Sequence, residues 1–126
     1  MELDSTTPIY VQIANDIRHQ ILIEALLDGD QIMSTTQYAT TYRINPATAA
    51  KAFTQLVDDG LIVKRRGIGM FVANGARERL VAAQSASFID DTFSPVARQG
   101  LALGIAPEAL INQIAALAAE MTPRSE

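Results

Sequence analysis

The chain has 126 residues, 48% hydrophobic, 19% charged, with no cysteine and a formal net charge of −4. This composition excludes a disordered or fibrous chain, a disulfide framework and a thiolate metal site, and it fits a reducing compartment. Met1-Glu2-Leu3-Asp4 lacks the basic-then-apolar pattern of a signal peptide and no apolar run is long enough to span a bilayer, so the expectation is a cytoplasmic protein with no membrane partner. The acidic balance argues against nucleic acid only until the cations are located. Between Ala39 and Arg66 stand Arg43, Lys51, Lys64, Arg65 and Arg66 against Asp58 and Asp59, so the basic character is concentrated in one stretch.

In chain order, Thr7 as cap and Pro8 at the first helical position announce a helix, along which Ile9, Ile13, Ile17 and Ile21 recur every four residues as one apolar stripe. Asp28-Gly29-Asp30 reads as a turn. Ser34-Thr35-Thr36-Gln37 is a capping box opening a short second helix. Asn45 then caps a third with Pro46 at its first position. In that helix Ala49, Ala52, Phe53, Leu56 and Val57 form the buried stripe, and Gly60 ends it. Two extended runs, Leu61–Lys64 and Met70–Ala73, flank a glycine-bearing basic tip and read as a β-hairpin. Helix, helix, tight turn, helix and hairpin is the order of a winged helix-turn-helix.

After Asn74-Gly75 the chain becomes alanine-rich and helical in period to about Leu103. Leu80, Phe88, Ile89, Phe93, Val96 and Leu101 are its apolar positions, and Pro95 kinks or interrupts it. Pro107 opens a last helix with Leu110, Ile114, Leu117 and Met121 at spacings of four, three and four. Two short helices with this much apolar surface cannot bury it alone, so these ten residues are the expected dimerisation face of a homodimer. The fold class expected is mainly α with a small β-hairpin, divided into a winged helix-turn-helix at 1–74 and a helical dimerisation segment at 75–126.

On a winged helix-turn-helix the start of the third helix lies in the major groove of double-stranded DNA. Ala47 can contact a thymine methyl, Thr48 a base or phosphate, and Lys51 phosphate or guanine. Exposed N–H groups at the helix start favour phosphate. Arg65 and Arg66 suit phosphate or a narrow minor groove. The expected DNA-binding set is Ser34, Thr35, Thr36, Asn45, Pro46, Ala47, Thr48, Lys51, Lys64, Arg65, Arg66, Gly67 and Gly69. His19 stands alone, and the adjacent Asp90 and Asp91 point in different helical directions, so both read as surface. No nucleophile–base pair and no phosphate loop is present, so no enzyme, metal or cofactor is expected.

The ordered set Pro8-Ile9-Tyr10-x-Gln12-Ile13, Gly29-Asp30, Ser34, Ile44-Asn45-Pro46-x-Thr48, Ala52-Phe53-x-x-Leu56, Gly60-Leu61-Ile62 and Arg66-Gly67-x-Gly69-x-Phe71-Val72 resembles the GntR family of bacterial regulators, over about half the chain. The short C-terminal part resembles the YtrA-type subgroup, in which two helices serve dimerisation. The resemblance implies a transcription regulator. A two-fold dimer presents two recognition helices, so an inverted-repeat operator is expected, and the expected mechanism is repression released by a small-molecule effector or a change in dimer geometry. The chain departs from the family at Met33, Thr36 and Tyr38, where proline, arginine and leucine are usual. The arginine commonly contacts DNA in the family. A helix-turn-helix retained as a protein-interaction module and a small-molecule sensor stay open as alternatives.

Overall fold

The computed structural model describes residues 3–121. Its elements are α1 (Ile9–Leu22), β1 (Gln31–Ile32), α2 (Thr35–Tyr42), α3 (Pro46–Asp58), β2 (Ile62–Arg65), β3 (Gly69–Val72), α4 (Ala76–Phe88), a π-helical stretch at Ile89–Phe93, α5 (Ser94–Ala102) and α6 (Pro107–Met121). The expected class, mainly helical with a small sheet, is what the chain adopts. Two compact units are formed, 1–83 and 84–126.

The first unit is built on the isoleucine stripe. Ile13, Ile17 and Ile21 are buried with Ala14, but Ile9 is 42% exposed. A four-residue step turns 400°, so the stripe drifts about 40° per step and its two ends cannot share one face. These α1 residues form one core cluster with Tyr38 of α2, Ala52, Phe53 and Leu56 of α3, Ile62, Met70 and Val72 of the sheet, and Ala76 and Leu80 of α4. Leu80, expected at the dimer face, is therefore a core residue here, because the first turns of α4 close the open side of this unit. Val57, expected in the buried stripe, is 41% exposed. It stands about 100° round the helix from the fully buried Leu56, at the edge of the buried arc.

Three short strands pair antiparallel in the order β1-β3-β2, with Ile32 opposite Met70, and Ile62 opposite Val72. The hairpin expected from sequence is β2–β3, each strand displaced by about one residue. β1 was not expected. Its two residues carry no pattern of their own and are strand only because β3 offers them partners.

Helix ends follow local chemistry, with one exception. Pro8 is the N-cap rather than the first helical residue, and Thr7 supplies no cap. Order at this end comes from Gln12, whose carboxamide donates to the carbonyls of Thr7 (2.8 Å) and Asp4 (2.9 Å) and accepts from the Asp4 N–H. Asp4 accepts from the Thr6 hydroxyl and from the N–H groups of Thr6 and Thr7, which hold its carboxyl below the usual carboxylate range. After α3, Gly60 (φ 75°) and Leu61 donate back to Val57 and Leu56, a Schellman ending that needs the left-handed residue.

In the second unit Pro95 neither bends a regular helix nor divides two. It enters α5 directly after the π-helical stretch, where the Ser94 N–H reaches back to Ile89. The wider turn absorbs the hydrogen bond that proline cannot make. Leu110 of α6 lies on Gly100 of α5.

Candidate nucleic-acid interface

The capping box forms as expected: the Gln37 N–H donates to the Ser34 hydroxyl (3.1 Å) and the Ser34 N–H to the Gln37 carboxamide (3.0 Å). This sets the first turn of α2, with Thr35 and Thr36 on it. The turn into α3 is made by Arg43, which takes a left-handed conformation (φ 54°, ψ 48°), followed by the buried Ile44, whose N–H donates to the Ala39 carbonyl. Asn45 then caps α3. Its side chain accepts the Ala47 N–H at 2.8 Å and its carbonyl accepts the Thr48 N–H at 3.0 Å. The donors expected to be open to phosphate at this helix start are thus already taken by Asn45.

Tyr38, one of the positions where the chain departs from the motif it resembles, is a buried core residue. Its ring meets Tyr42 and, edge-on, Phe53, and its hydroxyl donates to Asp16 at 3.3 Å. Burial first, and then the Asp16 carboxylate, push its pKa above the usual tyrosine range.

The wing is tied at both sides. The Ile68 N–H donates to the Arg65 carbonyl (2.9 Å), and the Gln31 carboxamide of β1 donates to the Ile68 carbonyl (3.2 Å). Gly67 (φ 75°) and Gly69 (φ 141°) supply the backbone turn. Arg65 lays its guanidinium over the Phe71 ring, 4.9 Å from the centroid, and Arg66 stands exposed at the tip.

These elements enclose one open groove of about 640 Å³. Of the expected set, Ser34, Thr35, Thr36, Lys64, Arg65, Gly67 and Gly69 line it. Asn45, Pro46, Ala47, Thr48, Lys51 and Arg66 do not. Two outward rows on α3 explain the division. Ala47, Ala50 and Thr54 follow one another at three and four residues, and the last two form a groove wall. Thr48 and Lys51 lie on the row beside α1, where the Lys51 ammonium sits 4.0 Å above the Tyr10 ring. Sequence reading missed Ala50 and Thr54, which the same three-and-four spacing counted on from Ala47 would have found. It also missed the large apolar part of the lining, Phe53, Val57, Ile68 and Met70, of which Phe53 and Val57 were expected only in the core.

Of the residues expected at a dimer face, Phe88, Ile89, Phe93, Val96, Leu101, Ile114, Leu117 and Met121 are exposed and Leu110 is half-buried. His19, Asp90 and Asp91 are exposed, and no group of three or more metal-ligating side chains occurs among the described residues. No described helix is long and apolar enough to cross a membrane.

The chain matches a GntR family transcriptional regulator from Listeria monocytogenes with a TM-score of 0.70 and 25% identity, covering 89% of this chain and 96% of that one. This is the GntR-family fold. The resemblance extends to sequence. The chain is 35% identical over 77 residues to the HTH-type transcriptional repressor YtrA of Bacillus subtilis (strain 168), covering 61% of this chain and 59% of YtrA. It is 33% identical over 75 residues to the HTH-type transcriptional regulator YhcF of the same organism, covering 60% and 62%. The match thus spans about three fifths of the length of these relatives. No protein-family model matches the chain. Over 58% of its length the chain also matches a crystal structure of the AraR DBD in complex with an operator (88% of that chain, TM-score 0.52, 26% identity). The GntR resemblance expected from the motifs is borne out, and the relatives are transcriptional regulators rather than enzymes.

Proposed function

We propose that this chain is a sequence-specific DNA-binding transcription regulator, a repressor that holds an inverted-repeat operator as a homodimer. The observation that carries the reading is the groove: the first turn of α2, the outer wall of α3 and the basic wing are brought to one face. A recognition helix flanked by a cationic wing is the arrangement that docks a helix in the major groove and lets arginines follow the backbone or the minor groove. The AraR domain, captured on an operator, supports carrying this to the present chain. The 1–74 winged domain and 75–126 dimerisation segment of the sequence reading are kept as functional divisions, with the first turns of α4 serving the winged unit. The apolar side chains left exposed on α5, α6 and the π-helical stretch support pairing with a second copy, which would give two recognition helices and hence operator symmetry. Release by a small-molecule effector completes the reading, and a ligand that binds only the folded state would raise the melting temperature.

The test is a fluorescence-anisotropy titration against DNA from upstream of the chain's own gene, at two salt concentrations, with an unrelated duplex as control. Preferential binding that weakens steeply with salt supports the reading. Equal, weak binding to both duplexes counts against it. Sedimentation of the free protein checks the dimer, and promoter output that falls when the gene is removed would replace repression by activation.

A further inference from the structure

A DNA-binding regulator is defined by the bases it selects, and a base preference for this surface rests on the regulator function proposed for the chain. From Thr35 to Asp58 the two helices and their turn carry two cations, Arg43 and Lys51. Arg43 stands at the turn before α3, off the helix's outer row, and Lys51 is drawn over Tyr10. Of the carboxamides on this stretch, Asn45 accepts from Ala47, Gln37 accepts from Ser34, and Gln55 is half-buried, four residues on from Lys51 and off the outer row. Along the outer row of α3 stand Ala47, Ala50 and Thr54, with Val57 continuing it, and the Thr54 hydroxyl donates its proton to the Ala50 carbonyl at 2.9 Å, so the row offers methyl groups and no side-chain donor.

Guanine is read through O6 and N7 by an arginine or lysine fork, adenine by a carboxamide, and thymine through its C5-methyl by apolar contact. A row of methyl groups without a free fork matches the last of these. The wing adds a second and independent indication. Arg65 is laid over Phe71, but Arg66 at the tip has no hydrogen-bond or ion-pair partner among the described residues. An arginine held out in this way suits the narrow, strongly negative minor groove of A-tracts. We propose that this surface reads A·T-rich half-sites, packing thymine methyls on Ala47, Ala50 and Thr54 while Arg66 enters a narrow minor groove alongside.

The experiment is selection of bound duplexes from a randomised pool by the full chain, followed by anisotropy on the selected duplex. Each thymine of the core is then replaced by uracil, which deletes only the methyl. The expected result is an A·T core that loses about fourfold in affinity per contacted thymine, the value of one buried methyl. The A50R variant, which restores a fork on the outer row, should bring guanine into the selected core. A wild-type core that requires guanine and tolerates uracil would overturn the base preference and leave the regulator standing. Failure to enrich any sequence would remove the regulator reading and this inference together.

Discussion

Leu56 and Val57 are neighbours that a reading of periodicity places on the same buried stripe, and the fold separates them. Leu56 is fully buried in the core, whereas Val57 is 41% exposed on the groove. Leu56→Ala removes three carbons, about 2.4 kcal/mol of transfer free energy at ~0.8 kcal/mol each, and leaves a cavity between α1, α3 and the sheet. Together these should cost about 3–5 kcal/mol. Val57→Ala removes two carbons, partly solvated, with space open to water, so about 1 kcal/mol or less is expected. For a unit of this size each kcal/mol moves the midpoint by about 4–8 °C, so Leu56→Ala should lower Tm by more than about 12 °C and Val57→Ala by no more than about 8 °C. The assay is urea and thermal unfolding followed by tyrosine fluorescence. The chain has no tryptophan, and its three tyrosines, Tyr10, Tyr38 and Tyr42, all lie in the first unit, so the signal reports that unit alone. Equal losses for the two variants would mean that the buried arc of α3 is wrongly oriented, and with it the groove.

Ser34→Ala should remove the hydroxyl half of the α2 capping box and cost about 1 kcal/mol, measured by the same unfolding curves. Arg66→Ala should make the salt dependence shallower by about one unit of slope and cost most affinity on duplexes with a narrow A·T-rich minor groove, whereas Ala47→Gln, which adds a carboxamide fork to the outer row, should change which sequence is preferred by about 1–3 kcal/mol. Anisotropy across several duplexes and salt concentrations separates the two. Because the fold favours the neutral Tyr38 hydroxyl, its contribution is complete below the unfolded tyrosine pKa of about 10 and is lost as the pH rises through the raised folded value. Stability should therefore fall above about pH 10, and Tyr38→Phe should make that alkaline fall shallower. A variant with an unchanged alkaline slope would assign the effect to another group.

What the sequence determined by itself was local. The Ser34–Gln37 box, the Asn45-Pro46 start and the Gly60 ending each involve groups within a few residues, so their geometry is set by the chain's own connectivity and can be read from residue type and spacing. The same holds for the order of helices and hairpin, and so for the GntR resemblance. The tertiary structure alone decided matters that depend on distant neighbours. β1 exists because β3 lies beside it, Leu80 is core because α4 closes the first unit, and Pro95 is accommodated by a π-helical turn. At the candidate interface, Lys51 and Arg65 are equally cationic in the sequence, yet Lys51 sits over Tyr10 away from the groove while Arg65, over Phe71, lines it. Spacing along one helix says which residues share a row. Which row faces the wing is settled only when α1 and the sheet have packed against the opposite side of α3, since burying Ala49, Ala52, Phe53 and Leu56 turns Ala50 and Thr54 outward.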